Sequence, residues 1–212
     1  MRVKYPKTPH LPWSPGFKND DTLFKDWQSL FNKRVVVTEK MDGENTTMYD
    51  NGIHARSLDS RHHASRDYVK ALHAQIKCHI PASWRICGEN LYAQHSVMYD
   101  DLAGYFQIFN IWDDFNRAIS WDDTVMFAEF LGLPTVPVLY RGEFLPDRIE
   151  NAWKAIPRES EGYVVRVDTE FHADDFRKNV AKYVRKDHIQ TDSHWMNQAV
   201  VPNQLAVPLR RV

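Results

Sequence analysis

The dipeptide Asn51-Gly52 constrains the fold of this chain more than any other feature of its sequence. It separates two segments of strand composition, residues 45–50 and 53–57, and Asn-Gly favours the two-residue turn that joins antiparallel strands. Just before them, residues 34–40 form a short β-branched run that is typical of a buried strand. This part of the chain therefore predicts an antiparallel sheet.

The remaining sequence alternates short strands with amphipathic helices. Strand composition recurs at residues 85–92, 105–112, 136–140, 162–167 and 180–184. Apolar residues at helical spacing predict helices at residues 65–80, 120–132 and 147–156. Ser65 and Ser120 are the expected N-caps of the first two helices, and Asn116-Arg117 is a candidate turn of a second hairpin. This order indicates an α+β fold of mostly antiparallel sheets with flanking helices.

The length and composition of the chain fit one folded domain. Its 212 residues are close to the usual size of a single domain, and 43% apolar residues provide a core without metal or disulfide staples. The 27 Lys and Arg residues nearly balance the 28 Asp and Glu residues, which gives a net charge of −1. Binding to nucleic acid would therefore need a local basic patch, because the overall charge does not attract a polyanion.

The cysteine and hydropathy patterns limit the cellular location. Two cysteines, Cys78 and Cys87, are too few for a disulfide framework and too poorly spaced for a zinc site, which indicates a reducing compartment. The sequence holds neither an 18-residue apolar run nor a basic leader followed by an apolar stretch. We therefore expect a cytoplasmic protein that is monomeric and does not bind a membrane.

Lys40 stands where a lysine can act as a nucleophile. It ends the β-branched strand and precedes Met41-Asp42-Gly43, which places its amine at the mouth of a core. Burial disfavours the charged form of an amine, so we expect the pKa of Lys40 to be lowered and its neutral, nucleophilic form to be favoured. The alternative is a strand-end lysine whose ammonium group reaches solvent.

Two carboxylates and a group of cations point to a shared polar site. Glu89 lies within an apolar strand, and Glu161 precedes the strand at residues 162–167. Buried carboxylates are rare unless they are paired or hydrogen-bonded, so the two are candidates for one site; two unrelated edge-strand carboxylates are the alternative. Near the last strand lie the cations Lys182, Arg185 and Lys186, which form either a phosphate clamp or a solvated face.

Five segments occur in a known order along the chain. They are Lys40-Met-Asp-Gly43, Gly88-Glu89-Asn90, Phe109-Asn-Ile-Trp112, Glu161-Gly-Tyr-Val-Val-Arg166 and Val180-Ala-Lys-Tyr-Val-Arg185. Together they resemble the motif series of the covalent nucleotidyltransferases, which comprise ATP-dependent RNA ligases, DNA ligases and capping enzymes. The form Glu-Lys-x-x-Gly-x-Asn at residues 39–45 and the phrase Glu161-Gly-Tyr-Val are most similar to the RNA ligase branch. The resemblance spans residues 34 to about 190.

The resemblance implies a fold and a reaction. The fold would be the nucleotidyltransferase, ATP-grasp-like adenylation domain of ligases, with residues 1–212 as one domain. The amine of Lys40 would attack the α-phosphate of ATP, release pyrophosphate and hold AMP as lysyl-AMP. AMP would pass to the 5′-phosphate of a nucleic acid strand, and a 3′-hydroxyl would displace it to join the ends. The implied cofactors are ATP and Mg²⁺ or Mn²⁺, and the implied partners are RNA ends or DNA ends.

The same resemblance assigns roles to individual residues. Glu161 would hold the metal ion, and Phe109 would stack on adenine. Glu89 would contact the ribose, and Lys182 would contact the α-phosphate. The nucleotide-binding set that the resemblance implies is Glu39, Asp42, Gly43, Asn45, Arg56, Arg61, Glu89, Phe109, Arg166, Lys182, Arg185 and Lys186.

Two of these assignments stay open at the level of the sequence. The family expects one arginine after the first hairpin, for which both Arg56 and Arg61 are available. In the last motif Val184 stands where many relatives have a second lysine, so Arg185 and Lys186 are alternatives for that cation.

The first 22 residues form a proline-rich arm that holds four of the 11 prolines. Such a segment cannot form a helix or a central strand. Leu11, Trp13 and Phe17 make it too apolar for a free tail, so we expect it to pack across the domain. His10 and Trp13 are candidate substrate contacts beside the nucleotide pocket, and the alternative is a belt in which Leu11 and Trp13 fill the core.

Two alternatives to an RNA ligase stay open. About 28 residues follow Val184, too few for the five-stranded OB domain of DNA ligases and capping enzymes, so we expect a minimal catalytic domain. This disfavours a DNA ligase or a capping-type nucleotidyltransferase. The second alternative is a nucleotide-binding module without catalysis, and labelled ATP separates it from an enzyme because only an enzyme would retain covalent AMP.

Overall fold

The computed structural model describes residues 2–59, 62–186 and 199–206. Within them the strands are β1 (Arg34–Glu39), β2 (Glu44–Tyr49), β3 (Gly52–Ala55), β4 (Arg85–Asn90), β5 (Phe106–Trp112), β6 (Arg117–Ala118), β7 (Val138–Glu143), β8 (Gly162–Val167), β9 (Phe171–His172) and β10 (Val180–Val184). The α-helices are α1 (Asp67–Ile76), α2 (Trp121–Phe130), α3 (Pro146–Lys154) and α4 (Phe176–Asn179), and short 3₁₀ helices lie at Trp27–Leu30, Ala64–Arg66, Lys77–His79 and Ala173–Asp175. No helix in this part of the chain is long and apolar enough to span a membrane.

The strands form two antiparallel sheets. The first sheet has the order β10-β8-β1-β7, and the second has the order β3-β2-β4-β5-β6-β9. The predicted α+β fold of mostly antiparallel sheets with flanking helices is therefore confirmed. β1 lies inside the first sheet between β8 and β7, so the residues at its end are held from both sides.

Both faces of β1 are buried. Val35 and Val37 lie in one hydrophobic core together with Tyr163 of β8. Val36 points to the opposite face, into a second core that includes Met41. This two-sided burial explains why the sequence of β1 is a continuous apolar run instead of an alternating one.

The Asn51-Gly52 hairpin forms as predicted. In its ladder Thr46 lies opposite Ala55, and Tyr49 lies opposite Gly52. The second hairpin joins β5 to β6, and Asn116 in its turn adopts a left-handed φ of 59°. The residues of the turn itself, Asn51-Gly52 in the first hairpin and Asn116 in the second, therefore specify both hairpins.

The ends of the helices agree only in part with the sequence. Ser120 caps α2, because its Oγ accepts a hydrogen bond from the Asp123 amide at 3.1 Å. The prediction that Ser65 caps α1 is wrong. Ser65 lies inside a 3₁₀ turn, where its Oγ lies 2.7 Å from His63 Nδ1, and the α-helix begins only at Asp67.

The strand expected at residues 136–140 lies two residues later, as β7. Val136 is instead buried in the second core, and its amide donates to the Ile108 carbonyl at 2.9 Å. This contact with β5 takes Val136 out of the ladder that pairs β7 with β1. The short elements β9 and α4 had no sequence signal, because two or four residues show no measurable periodicity.

The proline-rich arm lies along the outer edge of β10. The Leu11 amide donates to the Lys182 carbonyl at 2.8 Å, and the Lys182 amide donates to the Pro9 carbonyl at 2.9 Å. The Gly16 amide donates to the Val184 carbonyl at 2.9 Å. Leu11 is fully buried in the first core. The arm therefore extends the first sheet beyond β10.

Residues 199–206 contact the loop that follows β4. Asn203 Nδ2 donates to the Leu91 carbonyl at 2.9 Å, and its Oδ1 accepts from the Tyr99 amide at 2.9 Å. The buried Asn203 thus joins two points of residues 91–99, the loop that also contacts Asp42.

We predict that Gly162→Ala destabilises the protein strongly. A Cβ at this position would overlap the Tyr183 carbonyl oxygen and force β8 away from β10. We expect the free energy of unfolding to fall by about 3 kcal/mol in chemical denaturation. Gly132→Ala is the control: its Cβ would meet no atom within 4 Å, and the left-handed φ of 68° costs about 1 kcal/mol. Equal losses in the two variants would contradict this reading of the β8–β10 contact.

Candidate active site

A cavity of about 920 Å³ collects residues from both sheets and from the N-terminal arm. Its volume lies near the upper end of the range for ligand pockets. Eleven of the residues that the sequence proposes line it: Glu39, Lys40, Asp42, Gly43, Asn45, Arg56, Glu89, Phe109, Glu161, Arg166 and Lys182. The structure therefore brings the five motif segments to one place.

Lys40 and Glu161 form an ion pair in the wall of this cavity. The backbone of the two strands aligns them, because the Lys40 amide donates to the Gly162 carbonyl at 2.9 Å. Lys40 Nζ then lies 2.6 Å from Glu161 Oε2. The Glu161 side chain is only 2% exposed, whereas that of Lys40 is 23% exposed and faces the cavity. Lys40 is thus the accessible member of the pair.

The expected lowering of the Lys40 pKa is wrong for this structure. Burial alone would lower the pKa, but the negative charges of Glu161 and Glu89 and the hydrogen bond to Glu161 outweigh it and raise the pKa. Lys40 is therefore an ammonium group before a nucleotide binds. The neutral amine becomes favourable only when the negative charge of the carboxylates around Lys40 is offset.

Glu89 is the second carboxylate beside Lys40. It lies in β4 opposite Asn45 of β2, and it accepts a hydrogen bond from the Gly43 amide. Burial raises its pKa to about 8, although the charge of Lys40 acts in the opposite direction. A Cβ on Gly43 would lie 3.1 Å from Glu89 Cγ, so glycine permits this close approach.

Two of the predicted nucleotide-binding carboxylates are engaged by other parts of the protein. Asp42 Oδ2 accepts hydrogen bonds from Ser96 Oγ at 2.7 Å and from the Val97 amide at 2.8 Å. Glu39 forms a bidentate pair with Arg158, with distances of 2.7 and 2.9 Å. These contacts tie the residues on either side of Lys40 to the loops that carry Ser96, Val97 and Arg158. Direct contact of Glu39 and Asp42 with a nucleotide stays a prediction.

Asn45 and Arg56 offer groups for a ligand. Asn45 Oδ1 is buried and has no hydrogen-bond partner among the described residues. Arg56 is exposed, lines the cavity and contributes positive charge near Lys182. Of the two arginines that were alternatives after the first hairpin, Arg61 lies outside the residues that the structure describes.

Phe109 and Arg166 form an aromatic and cationic part of the wall. The half-buried Phe109 ring packs edge-on against Tyr5 of the arm, with centroids 5.2 Å apart. Arg166 Nη1 donates to the Phe109 carbonyl, and its Cζ lies 5.5 Å from the centroid of the Trp121 ring. Burial lowers the pKa of Arg166. No carboxylate of the described residues pairs with Arg166, which makes it a candidate partner for an anionic ligand.

Lys182 is another cation in the wall of the cavity. Its side chain is 10% exposed, and its Nζ lies 3.9 Å from Asp21 Oδ1 of the arm. Burial, and next the positive charge of Lys40, lower its pKa to about 8. Lys40 and Lys182 therefore differ in charge balance: carboxylates outweigh burial at Lys40, whereas burial and the charge of Lys40 outweigh Asp21 and Glu161 at Lys182.

Four other candidates do not line the cavity. Arg185 and Lys186 follow the end of β10; Arg185 pairs with Glu159, and Lys186 is exposed. His10 is 1% exposed. The Trp13 indole packs on the Trp27 ring and donates to the Tyr163 hydroxyl at 3.2 Å. His10 is therefore buried, and the partly buried Trp13 packs against the first core, as the alternative of a core-filling belt expects for Trp13. Direct contact of either residue with a substrate stays a prediction.

Sequence reasoning missed several residues of the site. Lys7, Asp21 and Arg66 line the cavity, and Arg66 is held in a bidentate pair by Glu44, with Nε–carboxylate distances of 2.7 and 3.0 Å. Arg158 contacts Glu39 across 119 positions of sequence. For Lys7 and Asp21, the only signal in the sequence was the apolar character of the arm. It predicted that the arm packs on the domain, but not which of its polar residues would reach the cavity.

Comparisons with known proteins concern the family and the fold of the chain. A family model described as RNA ligase matches residues 33–184. An archaeal ATP-dependent RNA ligase structure is 18% identical with a TM-score of 0.58, over 86% of this chain and 48% of that one. A Naegleria gruberi RNA ligase variant with ATP and Mn is 16% identical with a TM-score of 0.54, over 77% and 53%. A putative ATP-dependent DNA ligase from Aquifex aeolicus is 18% identical with a TM-score of 0.53, over 86% and 50%.

These comparisons establish the fold. The chain spans about half the length of these solved structures. No curated protein matches the sequence. The predicted nucleotidyltransferase fold is confirmed by the solved structures, and the identities, below 20%, carry no more than the fold.

We predict that Glu89→Gln stabilises the nucleotide-free protein at alkaline pH. A carboxyl group whose pKa is raised to about 8 binds protons more tightly in the folded state, so its cost to stability grows as pH rises from about 4.5 to 8. Glutamine resembles the protonated form. Thermal melting at pH 9 should therefore show a higher melting temperature than wild type, by about 2–4 °C for each kcal/mol recovered, and little difference at pH 5. Glu129→Gln, at an exposed position of α2, is the control; an equal or lower melting temperature for Glu89→Gln at pH 9 would contradict the prediction.

Proposed function

The chain belongs to the RNA ligase family, and on that premise we propose that it joins 5′-phosphate and 3′-hydroxyl ends of RNA, using ATP, through a lysyl-AMP intermediate. The observation that carries the proposal is the position of Lys40 in the wall of the cavity, 2.6 Å from Glu161. Side chains from the other motif segments, Glu89, Phe109 and Lys182, line the same cavity. This is the set of groups that transfer of a nucleotide to a lysine requires.

The cavity wall offers complementary groups to each part of ATP. The half-buried Phe109 ring is a stacking surface for adenine. Glu89, with a pKa of about 8, accepts hydrogen bonds from ribose hydroxyls when it is ionised. Lys182 and Arg166 supply positive charge for the phosphates, and Arg166 lacks a carboxylate partner in the described part of the chain.

A divalent metal ion fits this donor set together with the nucleotide. Among the described residues, no group of three or more His, Cys, Asp or Glu side chains is arranged to hold a metal ion by itself. Mg²⁺ commonly takes one or two protein carboxylates and completes its shell with water and substrate phosphates. Glu161, which lines the cavity, would supply such a carboxylate. When bound, Mg²⁺ or Mn²⁺ would offset negative charge on the carboxylates and the phosphates.

In the first step the lone pair of Lys40 Nζ forms a bond to the α-phosphorus of ATP. The bond from that phosphorus to the oxygen bridging the β-phosphate breaks, and pyrophosphate leaves with the electron pair. Nζ gives up two protons as it changes from ammonium to phosphoramide, and Glu161 Oε2 at 2.6 Å is within reach to accept the first. Lys182 and Arg166 would stabilise the charge that develops on the transferred phosphate.

In the second step an oxygen of the RNA 5′-phosphate attacks the α-phosphorus, the nitrogen–phosphorus bond breaks, and Lys40 takes up a proton. In the third step a 3′-hydroxyl attacks the phosphorus of the 5′-phosphate, loses its proton, and AMP leaves. The cavity volume of about 920 Å³ leaves room for a strand end beside the nucleotide.

A sealing assay separates the RNA ligase from its main alternative. Nicked and single-stranded substrates would be prepared with RNA or DNA on each side of the junction. We expect sealing where RNA supplies the ends. Sealing of DNA-only nicks, with none of RNA, would contradict the proposal and favour a DNA ligase.

We predict that Lys40→Arg abolishes covalent attachment of AMP. Arginine keeps the positive charge beside Glu161, but its guanidinium group does not lose a proton at accessible pH, so it cannot act as the nucleophile. The measurement is labelling with α-³²P-ATP and magnesium, followed by mass spectrometry of the labelled peptide. Lys154→Arg, at an exposed lysine of α3, is the matched control and should label as wild type does.

Two outcomes of this labelling would count against the proposal. AMP located on a lysine other than Lys40 would contradict the assigned nucleophile. Folded wild-type protein that binds ATP and never retains AMP would contradict catalysis and favour a nucleotide-binding module.

We predict that Phe109→Leu weakens nucleotide binding. Leucine keeps the apolar contact with Tyr5 but removes the flat surface for adenine, and stacking of one base is worth about 1–3 kcal/mol. Titration calorimetry with AMP should therefore show an affinity about 5- to 150-fold lower. Phe115→Leu, at a 68% exposed phenylalanine, is the control. An unchanged affinity in Phe109→Leu would remove Phe109 from the adenine site.

A further inference from the structure

The N-terminal arm brings a carboxylate to Lys182. Asp21 Oδ1 lies 3.9 Å from Lys182 Nζ, and the two side chains are only 12% and 10% exposed. In the described part of the chain, no other carboxylate lies within 4.0 Å of that Nζ. Asp21 therefore provides the counter-charge of a cation that is otherwise close to another lysine, Lys40.

Backbone hydrogen bonds fix the arm to this same position of β10. Lys182 donates to the Pro9 carbonyl and accepts from the Leu11 amide, at 2.9 and 2.8 Å. His10, between them, is bridged by the backbone to Lys182 on one side and to Leu23 on the other. The arm and Lys182 thus form one hydrogen-bonded layer, and Asp21 belongs to its returning segment.

Several groups hold the Asp21 carboxylate in place. Its Oδ2 accepts a hydrogen bond from the Lys18 amide at 3.1 Å and lies 3.2 Å from His10 Nε2. Lys7 Nζ lies 3.6 Å from Oδ1. Burial would raise the pKa of Asp21, but Lys182 and the other donors lower it, so the group is ionised. Burial, and next Lys182, lower the pKa of His10 to about 4, so His10 is a neutral support.

We propose that Asp21 is a positioning residue that holds the Lys182 ammonium group at the cavity wall beside Lys40, so that the arm is part of the catalytic unit. This inference rests on the proposed function, in which Lys182 contacts the α-phosphate. Removing the Asp21 charge leaves Lys182 beside Lys40 without its carboxylate partner. Lys182 then turns away from the cavity, and transfer of AMP to Lys40 slows.

The test is a double-mutant cycle of Asp21→Asn and Lys182→Ala, with the full chain. The rate of lysyl-AMP formation is measured in a single turnover as a function of ATP concentration, well below the melting temperature of every variant. We expect Asp21→Asn to lower the maximal rate about tenfold or more, with a smaller change in the ATP concentration for half-maximal rate. In the Lys182→Ala background the same substitution should have almost no further effect.

Two further variants separate positioning from general damage to the arm. Asp20→Asn removes the same charge from the neighbouring residue, which faces Lys7 but not Lys182, and should keep a rate near that of wild type. Asp21→Glu restores the carboxylate and should recover part of the lost rate. A loosened arm without this role would raise the ATP requirement and lower the melting temperature in both backgrounds equally.

The outcomes distinguish this inference from the function on which it rests. Wild-type protein that forms no lysyl-AMP contradicts both. If wild type forms lysyl-AMP and Lys182→Ala slows it, then additive losses in the double variant, or a wild-type rate in Asp21→Asn, overturn the positioning role alone.

Discussion

The ion pair between Lys40 and Glu161 is the contact on which the rest of the cavity depends. Glu161 is almost fully buried in this pair, and burial of its charge is costly unless the attraction to Lys40 repays the lost hydration in good geometry. The geometry comes from the backbone, since β1 and β8 are joined by a hydrogen bond from the Lys40 amide to Gly162. Register between two strands that are distant in sequence thus sets the position of a reactive nitrogen.

Charge in the cavity alternates around this pair. Glu161 and Glu89 act on Lys40, Lys40 acts on Lys182, and Lys182 is met by Asp21. The pKa of each group depends on the charges beside it. For this reason the pKa of Lys40 is raised and that of Lys182 is lowered, although an isolated lysine has the same pKa in both cases. A polyanionic substrate entering such a site changes all of these balances together. In the nucleotide-free protein, the cations and carboxylates of the cavity therefore neutralise one another.

The sequence predicts features that depend on a few neighbouring residues. Asn51-Gly52 specifies its hairpin and Ser120 caps its helix, because both act through the local backbone. Ser65 does not cap α1, because its hydroxyl group is engaged by His63 in the preceding 3₁₀ turn. No pattern in the sequence indicated that contact. The order of the motifs predicted which segments meet, and residues of all five segments line one cavity. The direction of the Lys40 pKa was wrong because it is set by Glu161, 121 positions away, and burial alone gives the opposite sign.

Because the N-terminal arm is hydrogen-bonded to β10, the structural unit that forms the cavity extends beyond the segment that the family model matches. That segment begins at residue 33, yet residues 4–8 and Asp21 form one wall of the cavity. A fragment trimmed to the matched residues would lose this wall and would also leave the outer edge of β10 unpaired. An unpaired edge is a template for a strand of a second molecule. The trimmed fragment would therefore have two defects: a cavity that is open on one side and an exposed strand edge through which it self-associates.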